Sequence, residues 1–104
     1  MLAARFAMNV QQIDRQKFLD HLHAIEAKFP IHFLGTLPRG TAAHVFEEDA
    51  IDLLAERREG LSLLSLAGAE VELSDRLGRP VGIVLLGGLR GDYGERVKAS
   101  ARPL

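Results

Sequence analysis

A glycine-rich segment near the end of the chain has the residue types of a phosphate site. It reads IVLLGGLRGDYGERV and begins at Ile83. Backbone N–H groups in a glycine loop between a strand and a helix can bind a phosphate, and an arginine adds charge-assisted hydrogen bonds. The residues that would bind a phosphate or another small ligand there are Gly87, Gly88, Arg90, Gly91 and Asp92.

The spacing of these glycines favours a structural role instead. It matches neither the dinucleotide fingerprint GxGxxG nor the P-loop form, which ends in Lys-Ser or Lys-Thr. The sequence therefore favours the interpretation that Gly87 and Gly88 end a buried strand. The phosphate site is the alternative.

The histidines do not form a metal-binding pattern. His21 and His23 are two residues apart on a predicted helix, so their side chains point to different faces. If a sheet paired His32 with His44, one carboxylate could complete a three-ligand site, but nothing in the sequence requires that pairing. We expect no metal ion and no other cofactor.

Nucleophilic catalysis has no recognisable motif in this sequence. The chain contains no cysteine, and no serine lies in a GxSxG-like turn. The carboxylates of Glu47, Glu48, Asp49 and Asp52 are explained by the start of a predicted helix, where the helix dipole favours negative charge. The sequence therefore assigns no catalytic residue.

Hydrophobic periodicity predicts the elements of the first half of the chain. Alternation over residues 2–10 predicts a strand with one buried face. An apolar stripe predicts a helix over 14–29, which Pro30 ends. A second strand is predicted over 31–37, and residues 41–46 are either a short returning strand or a loop.

The second half is predicted as one helix and three strands. Acidic residues at the start and arginines at the end of 47–59 predict a helix. Apolar runs predict strands over 61–66, 69–74 and 81–86. The segment 75–80 is expected to join the last two strands as a hairpin, with Gly78 at a positive φ.

These elements predict a single small α+β domain over residues 1–104. Its architecture would be a two-layer sandwich, with a mixed, mainly antiparallel sheet of four to six strands and two helices packed on one face. The tail from about residue 90 is expected to be mobile.

Composition narrows the partners and the location. Thirteen Lys and Arg against 14 Asp and Glu give a formal net charge of −1, so we expect no nucleic acid and no anionic membrane as partner. The apolar runs are far shorter than the roughly 20 residues that span a bilayer. The absence of cysteine fits a reducing compartment, and we expect a soluble cytoplasmic protein.

Two classes of function remain. The leading interpretation is a small binding or regulatory module, not an enzyme, that acts through protein–protein contacts of its sheet edge or face. The alternative is a small-molecule or phosphate-binding enzyme that uses the glycine-rich loop at 87–94. An enzyme should have a concave pocket where polar groups converge, whereas a module should have an exposed apolar patch.

The small core and the apolar runs at 61–66 and 81–86 predict self-association into a homodimer or another homo-oligomer. Light scattering at micromolar concentration should return more than the monomer mass. A monomer mass at every concentration tested would contradict this prediction.

Overall fold

A computed structural model of the chain describes residues 2–45 and 47–104, with side chains described from Arg15 onward. The elements follow one another as α1 (Leu2–Lys28), β1 (Ile31–Leu37), β2 (Ile51–Arg57), α2 (Leu63–Leu77), β3 (Val81–Leu85), a 3-10 helix (Leu86–Gly88), α3 (Gly91–Ser100) and β4 (Arg102–Pro103).

The four strands form one mixed sheet in the order β3-β2-β1-β4. β1 pairs antiparallel with β2 on one side and with β4 on the other, and β2 pairs parallel with β3. Parallel neighbours need a crossover connection, and the 15-residue helix α2 provides it between β2 and β3.

Two hydrophobic cores lie on opposite faces of the sheet. Leu53 and Leu54 are neighbours in β2 and belong to different cores, because successive side chains of a strand point to opposite faces. The smaller core joins Leu54 to Leu37 and to Val97 of α3. The larger core contains buried residues of α1 and α2, namely Leu22, Ile25, Ala69 and Leu73. Thus α1 and α2 cover one face and α3 packs on the other.

A β-bulge in β1 brings the end of that strand to the α3 face. The register between β1 and β2 shifts between Phe33 and Gly35. Because a bulge adds one residue to one strand, the side chains that follow it change face. Phe33 therefore belongs to the larger core, whereas Leu37 belongs to the smaller one and pairs in the register with Asp52.

The helix α2 is capped at both ends. The Ser62 hydroxyl accepts a hydrogen bond from the backbone N–H of Ser65 at 3.1 Å. At the other end Gly78 has φ 68° and its N–H donates to the Ser74 carbonyl at 2.8 Å. A serine at the N-cap and a left-handed glycine after the last turn are the usual signals of a helix.

Several predicted elements are wrong. The strand over 2–10 is part of α1, and the helix over 47–59 contains β2 instead. The strands over 61–66 and 69–74 fall at the start and in the middle of α2, and 75–80 forms the end of α2 and the turn after it rather than a hairpin. Short apolar runs fit a buried strand and a helix equally, and the charges flanking β2 imitate those of helix ends.

Other predicted elements are confirmed. Residues 14–28 form the second half of α1, residues 31–37 are β1, and β3 falls short of the predicted 81–86 by one residue. Residues 41–45 form a loop, and Phe46 lies outside the described residues. The buried face predicted over 2–10 lies outside the described residues, because side chains are described only from Arg15 onward.

The predicted fold class is confirmed at the level of an α+β protein with a mixed four-stranded sheet. Among the described residues there are three α-helices where two were expected: the predicted helix over 47–59 is absent, whereas 63–77 and 91–100, the latter part of the expected mobile tail, form α2 and α3. The expectation that the helices pack on one face is wrong, because α3 lies opposite α1 and α2. None of the helices in the described residues combines the length and the apolar composition that a bilayer crossing requires.

An ion pair links α1 to α2. The Lys28 Nζ donates a hydrogen bond to Glu72 Oε1 at 2.5 Å, and Arg76 Nε lies 3.6 Å from the other carboxylate oxygen. The hydrogen bond from Lys28 is the main reason why the pKa of Glu72 is held below its ordinary value, and the charges of Lys28 and Arg76 act in the same direction.

We predict that this ion pair makes stability depend on pH. Because the native pKa of Glu72 is lowered, its contribution is complete above the unfolded-state pKa and is lost as the pH falls through the native pKa. In urea unfolding, Glu72→Gln should destabilise the protein at neutral pH, and this loss should disappear in acid. Glu95→Gln, at a carboxylate that is 76% exposed on α3, is the matched control with little effect at either pH. A loss independent of pH would contradict the prediction.

Candidate functional site

The loop after β1 is held in a tight turn. The Thr41 N–H and hydroxyl both donate to the Pro38 carbonyl, at 3.2 Å and 2.6 Å. Gly40 has φ 90°, a conformation that residues with a side chain rarely adopt. Arg39 Nη1 donates to the Glu48 carbonyl at 2.6 Å, so its guanidinium is tied to the far end of the same loop. The loop therefore presents Arg39 and Thr41 in a fixed position.

A groove lies between this loop and α3. Its volume is about 370 Å³. The loop contributes one arginine, and α3 contributes a second arginine and two hydroxyl groups. The lining residues are Arg39, Gly40, Thr41, Tyr93, Arg96, Val97 and Ser100. We call this cavity the arginine groove. No carboxylate among the described side chains lines it, whereas Glu47 and Glu48 line a neighbouring cavity that also contains Arg39.

A second cavity adjoins the arginine groove and shares Ser100 with it. It has a volume of about 300 Å³ and is lined by Thr36, Leu37, Pro38, Ser100 and Arg102. Arg102 belongs to β4, which is fixed beside β1 because Gly35 has no side chain: a Cβ there would lie 2.4 Å from the Arg102 carbonyl oxygen. The adjoining cavity therefore adds a third arginine to the same region.

Asp52 is a buried carboxylate on the same face of the sheet. Its side chain is 2% exposed, and its Oδ2 accepts a hydrogen bond from the Ala42 N–H at 3.0 Å. The other oxygen, Oδ1, is also buried and has no hydrogen-bond partner among the described residues. Asp52 thus joins the β1–β2 loop to the start of β2.

The loop covers the Asp52 carboxylate. Gly82 of β3 is the register partner of Asp52. A Cβ at Gly82 would lie 2.5 Å from the Ala42 Cβ and 3.0 Å from the Val45 Cγ2, so this part of the loop packs directly on the strand backbone. The carboxylate is therefore closed off from solvent.

The candidate site predicted from the sequence lies elsewhere. Gly87 and Gly88 are exposed in the 3-10 helix, Arg90 is the N-cap of α3, and Gly91 begins that helix with φ 64°. Asp92 lies in its first turn. None of the five lines the arginine groove or the adjoining cavity. A ligand site at these residues stays a prediction.

The structure also separates the two histidines of the hypothetical metal site. His32 Nδ1 lies 2.9 Å from Glu26 Oε2, and His44 Nε2 lies 2.7 Å from Glu70 Oε2. Each histidine is thus paired with a different helix, α1 for His32 and α2 for His44.

Sequence reasoning missed the residues that line the groove. The only local signal is Arg39-Gly40-Thr41, which lies directly after the predicted strand 31–37. Arg96 lay in the expected mobile tail, and Asp52 lay on a predicted helix. No motif joins them, because the fold brings these distant segments together.

Comparison with solved structures finds a similar chain. It is described as a "putative minimal nucleotidyltransferase", and the TM-score is 0.61 at 24% sequence identity. The similarity covers 92% of this chain and 94% of that one. Neither the protein-family models nor the curated proteins give a match. At this identity the similarity shows a shared fold, which does not by itself assign an activity.

The leading functional interpretation of the sequence, a module acting through protein–protein contacts of its sheet, is wrong. The similarity over nearly the whole chain to a structure described as an enzyme overturns it. The alternative of a small-molecule-binding or phosphate-binding enzyme agrees better with that fold. The arginine groove is a concave polar pocket, and Tyr93 is its lining residue from the segment 87–94.

The residues around Asp52 do not fit a catalytic metal centre. Polymerases transfer nucleotides with two metal ions, and Mg²⁺ in such sites is bound by one or two carboxylates and the substrate phosphates. Within the described part of the chain, no group of three or more His, Asp or Glu side chains could hold a metal ion. The positions nearest to Asp52 provide no second ligand. Neither Ala50, two residues before it, nor Gly82, its partner in the sheet, has a side-chain oxygen.

We predict that Gly82→Ala destabilises the protein by about 1–3 kcal/mol, because the added methyl group overpacks against Ala42. Gly87→Ala is the matched control, since a Cβ there meets open space. Urea unfolding should show a lower free energy of unfolding for Gly82→Ala alone. Equal stability of the two variants would show that the loop does not pack on β3.

Proposed function

We propose that this protein binds a nucleoside triphosphate, with the phosphate chain in the arginine groove. The shared fold with the solved structure described as a nucleotidyltransferase supports a nucleotide as the ligand. The observation that carries the proposal is the convergence of Arg39 and Arg96 on one cavity without a carboxylate.

The chemistry of the lining matches a phosphate chain. A guanidinium donates two parallel hydrogen bonds to phosphate oxygens, and this geometry is stronger and more specific than that of a lysine. The hydroxyls of Thr41 and Ser100 also line the groove, but they donate to the Pro38 and Val97 carbonyls, so the arginines are the donors for a phosphate. Because the two arginines belong to opposite walls, an anion between them is held from both sides.

The remaining lining suits the rest of a nucleotide. Tyr93 is 55% exposed and offers an aromatic surface on which a base can stack. The arginine groove and the adjoining cavity each have the volume of a small ligand site, whose usual range begins at roughly 300 Å³. Arg102 in the adjoining cavity can contact a further phosphate.

A second positive cavity is the competing location for the same ligand. It lies between α1 and α2, has a volume of about 540 Å³, and is lined by Arg15, Lys17, Phe18, His21, Ile51, Arg76, Leu77 and Arg79. Arg76 there already contacts Glu72, and Arg79 donates to the Asp49 carbonyl at 2.7 Å. The arginine groove is favoured because it combines two arginines with the exposed aromatic ring of Tyr93.

The test is calorimetric titration of the full chain with ATP. We expect Arg39→Ala and Arg96→Ala each to weaken ATP binding by about tenfold or more, as expected for a lost hydrogen bond to a charged group. Arg58→Ala removes the same charge at the opposite end of β2, roughly 20 Å away, and should leave the affinity unchanged.

Two results would contradict the proposal. One is the absence of ATP binding at millimolar concentration. The other is an affinity that Arg76→Ala reduces while Arg39→Ala and Arg96→Ala do not, which would place the ligand between α1 and α2.

Inorganic tripolyphosphate should compete with ATP, because the phosphate chain provides most of the contacts. Self-association is a separate proposal, which light scattering decides.

A further inference from the structure

We propose that the bound nucleotide is held by arginines directly, without a metal ion bound by the protein, and that it is retained rather than transferred. Asp52 then serves as the acceptor that fixes the β1–β2 loop, and is not a metal ligand. This inference rests on the proposed nucleotide-binding function.

Nucleotidyl transfer sets a requirement on the carboxylates of a site. The reaction joins the α-phosphate of a nucleoside triphosphate to an acceptor oxygen and releases pyrophosphate. The charge that develops on the phosphates is stabilised in two-metal sites, whose ions the protein holds through carboxylates. A carboxylate that does this must be open to the cavity in which the phosphates lie.

Asp52 does not meet this requirement. It is almost completely buried, its Oδ2 already accepts the Ala42 N–H, and its Oδ1 is covered. The strand β3 has no room for a second carboxylate beside Asp52, because Ala42 and Val45 occupy the space next to Gly82. A metal ion could reach Asp52 only if the loop left the strand.

The charge of the arginine groove leads to the same inference. In a site that binds phosphates through a metal ion, carboxylates of the protein bind the cation and the cation binds the phosphates. Here Arg39 and Arg96 line the cavity, and no carboxylate does. The protein itself therefore supplies the positive charge.

The structural role of Asp52 distinguishes two substitutions. Asparagine can accept the same hydrogen bond through its amide oxygen, whereas alanine leaves the buried Ala42 N–H without an acceptor. Asp52→Asn should keep the ATP affinity of the unchanged chain within about threefold, and Asp52→Ala should weaken it by about fivefold or more because the loop is released. A metal ligand would behave differently, since Asp52→Asn would then lose affinity in Mg²⁺ but not in EDTA.

Metal binding is tested on the nucleotide-free chain with Mn²⁺ alone. Electron paramagnetic resonance should show the same free Mn²⁺ concentration for the unchanged chain and for Asp52→Asn, because the covered carboxylate of Asp52 is not available as a ligand. One bound Mn²⁺ per chain that Asp52→Asn abolishes would overturn the inference. In the presence of ATP and Mg²⁺ we expect no pyrophosphate above the rate in buffer, and a release that Asp52→Asn abolishes would overturn it as well.

The two proposals fail in different ways. If ATP does not bind at all, the proposed function is wrong, while the Mn²⁺ titration still decides whether the protein holds a metal. If ATP binds and Mn²⁺ also binds with one equivalent that Asp52→Asn abolishes, the function stands and the present inference is wrong. Thermal unfolding shows whether Asp52→Ala is folded, and Asp52→Asn provides the comparison if it is not.

Discussion

The hydrogen bond from the Ala42 N–H to the buried carboxylate of Asp52 organises the α3 face of this protein. The connection between β1 and β2 spans residues 38–50 and has no helix or strand among its described residues. A buried carboxylate is costly unless it is hydrogen-bonded, so the chain stays close to Asp52. The bonds from Arg39 to the Glu48 carbonyl and from Arg79 to the Asp49 carbonyl hold the rest of the connection.

Both walls of the arginine groove depend on packing on this face. The loop wall has its position because Ala42 lies on the backbone of Gly82. The helix wall has its position because Val97 packs with Leu37 and Leu54 in the smaller core. Leu37 reaches that core only because of the bulge after Phe33. The separation between Arg39 and Arg96 is therefore fixed by backbone register and core packing, and not by the arginines themselves.

The sequence predicted the second half of α1 and the strands β1 and β3, but the alternation over residues 2–10 predicted a strand where α1 begins. The apolar stripe of α1 and the short apolar strands β1 and β3 follow directly from the residue order. β2 was missed because it is buried on both faces, so it lacks alternation, and acidic residues and arginines flank it. The α2 helix was missed because it overlaps two short apolar runs, 61–66 and 69–74, which predict strands as readily as a helix. The groove could not be predicted, because its walls are separated by more than fifty residues of sequence and meet only through the sheet order.

Under the proposed nucleotide binding, the positions of Asp52 and of the arginines determine which form of the nucleotide the groove prefers. In a site built on acidic residues, a divalent cation lies between protein and phosphates, so the metal-bound nucleotide is the favoured ligand. Here the carboxylate of Asp52 is buried beneath the β1–β2 loop, and Arg39 and Arg96 line the cavity. A cation on the phosphates would then reduce their negative charge and weaken their attraction to the guanidinium groups. On that proposal, the loop that closes over Asp52 makes the metal-free anion the better ligand of the arginine groove.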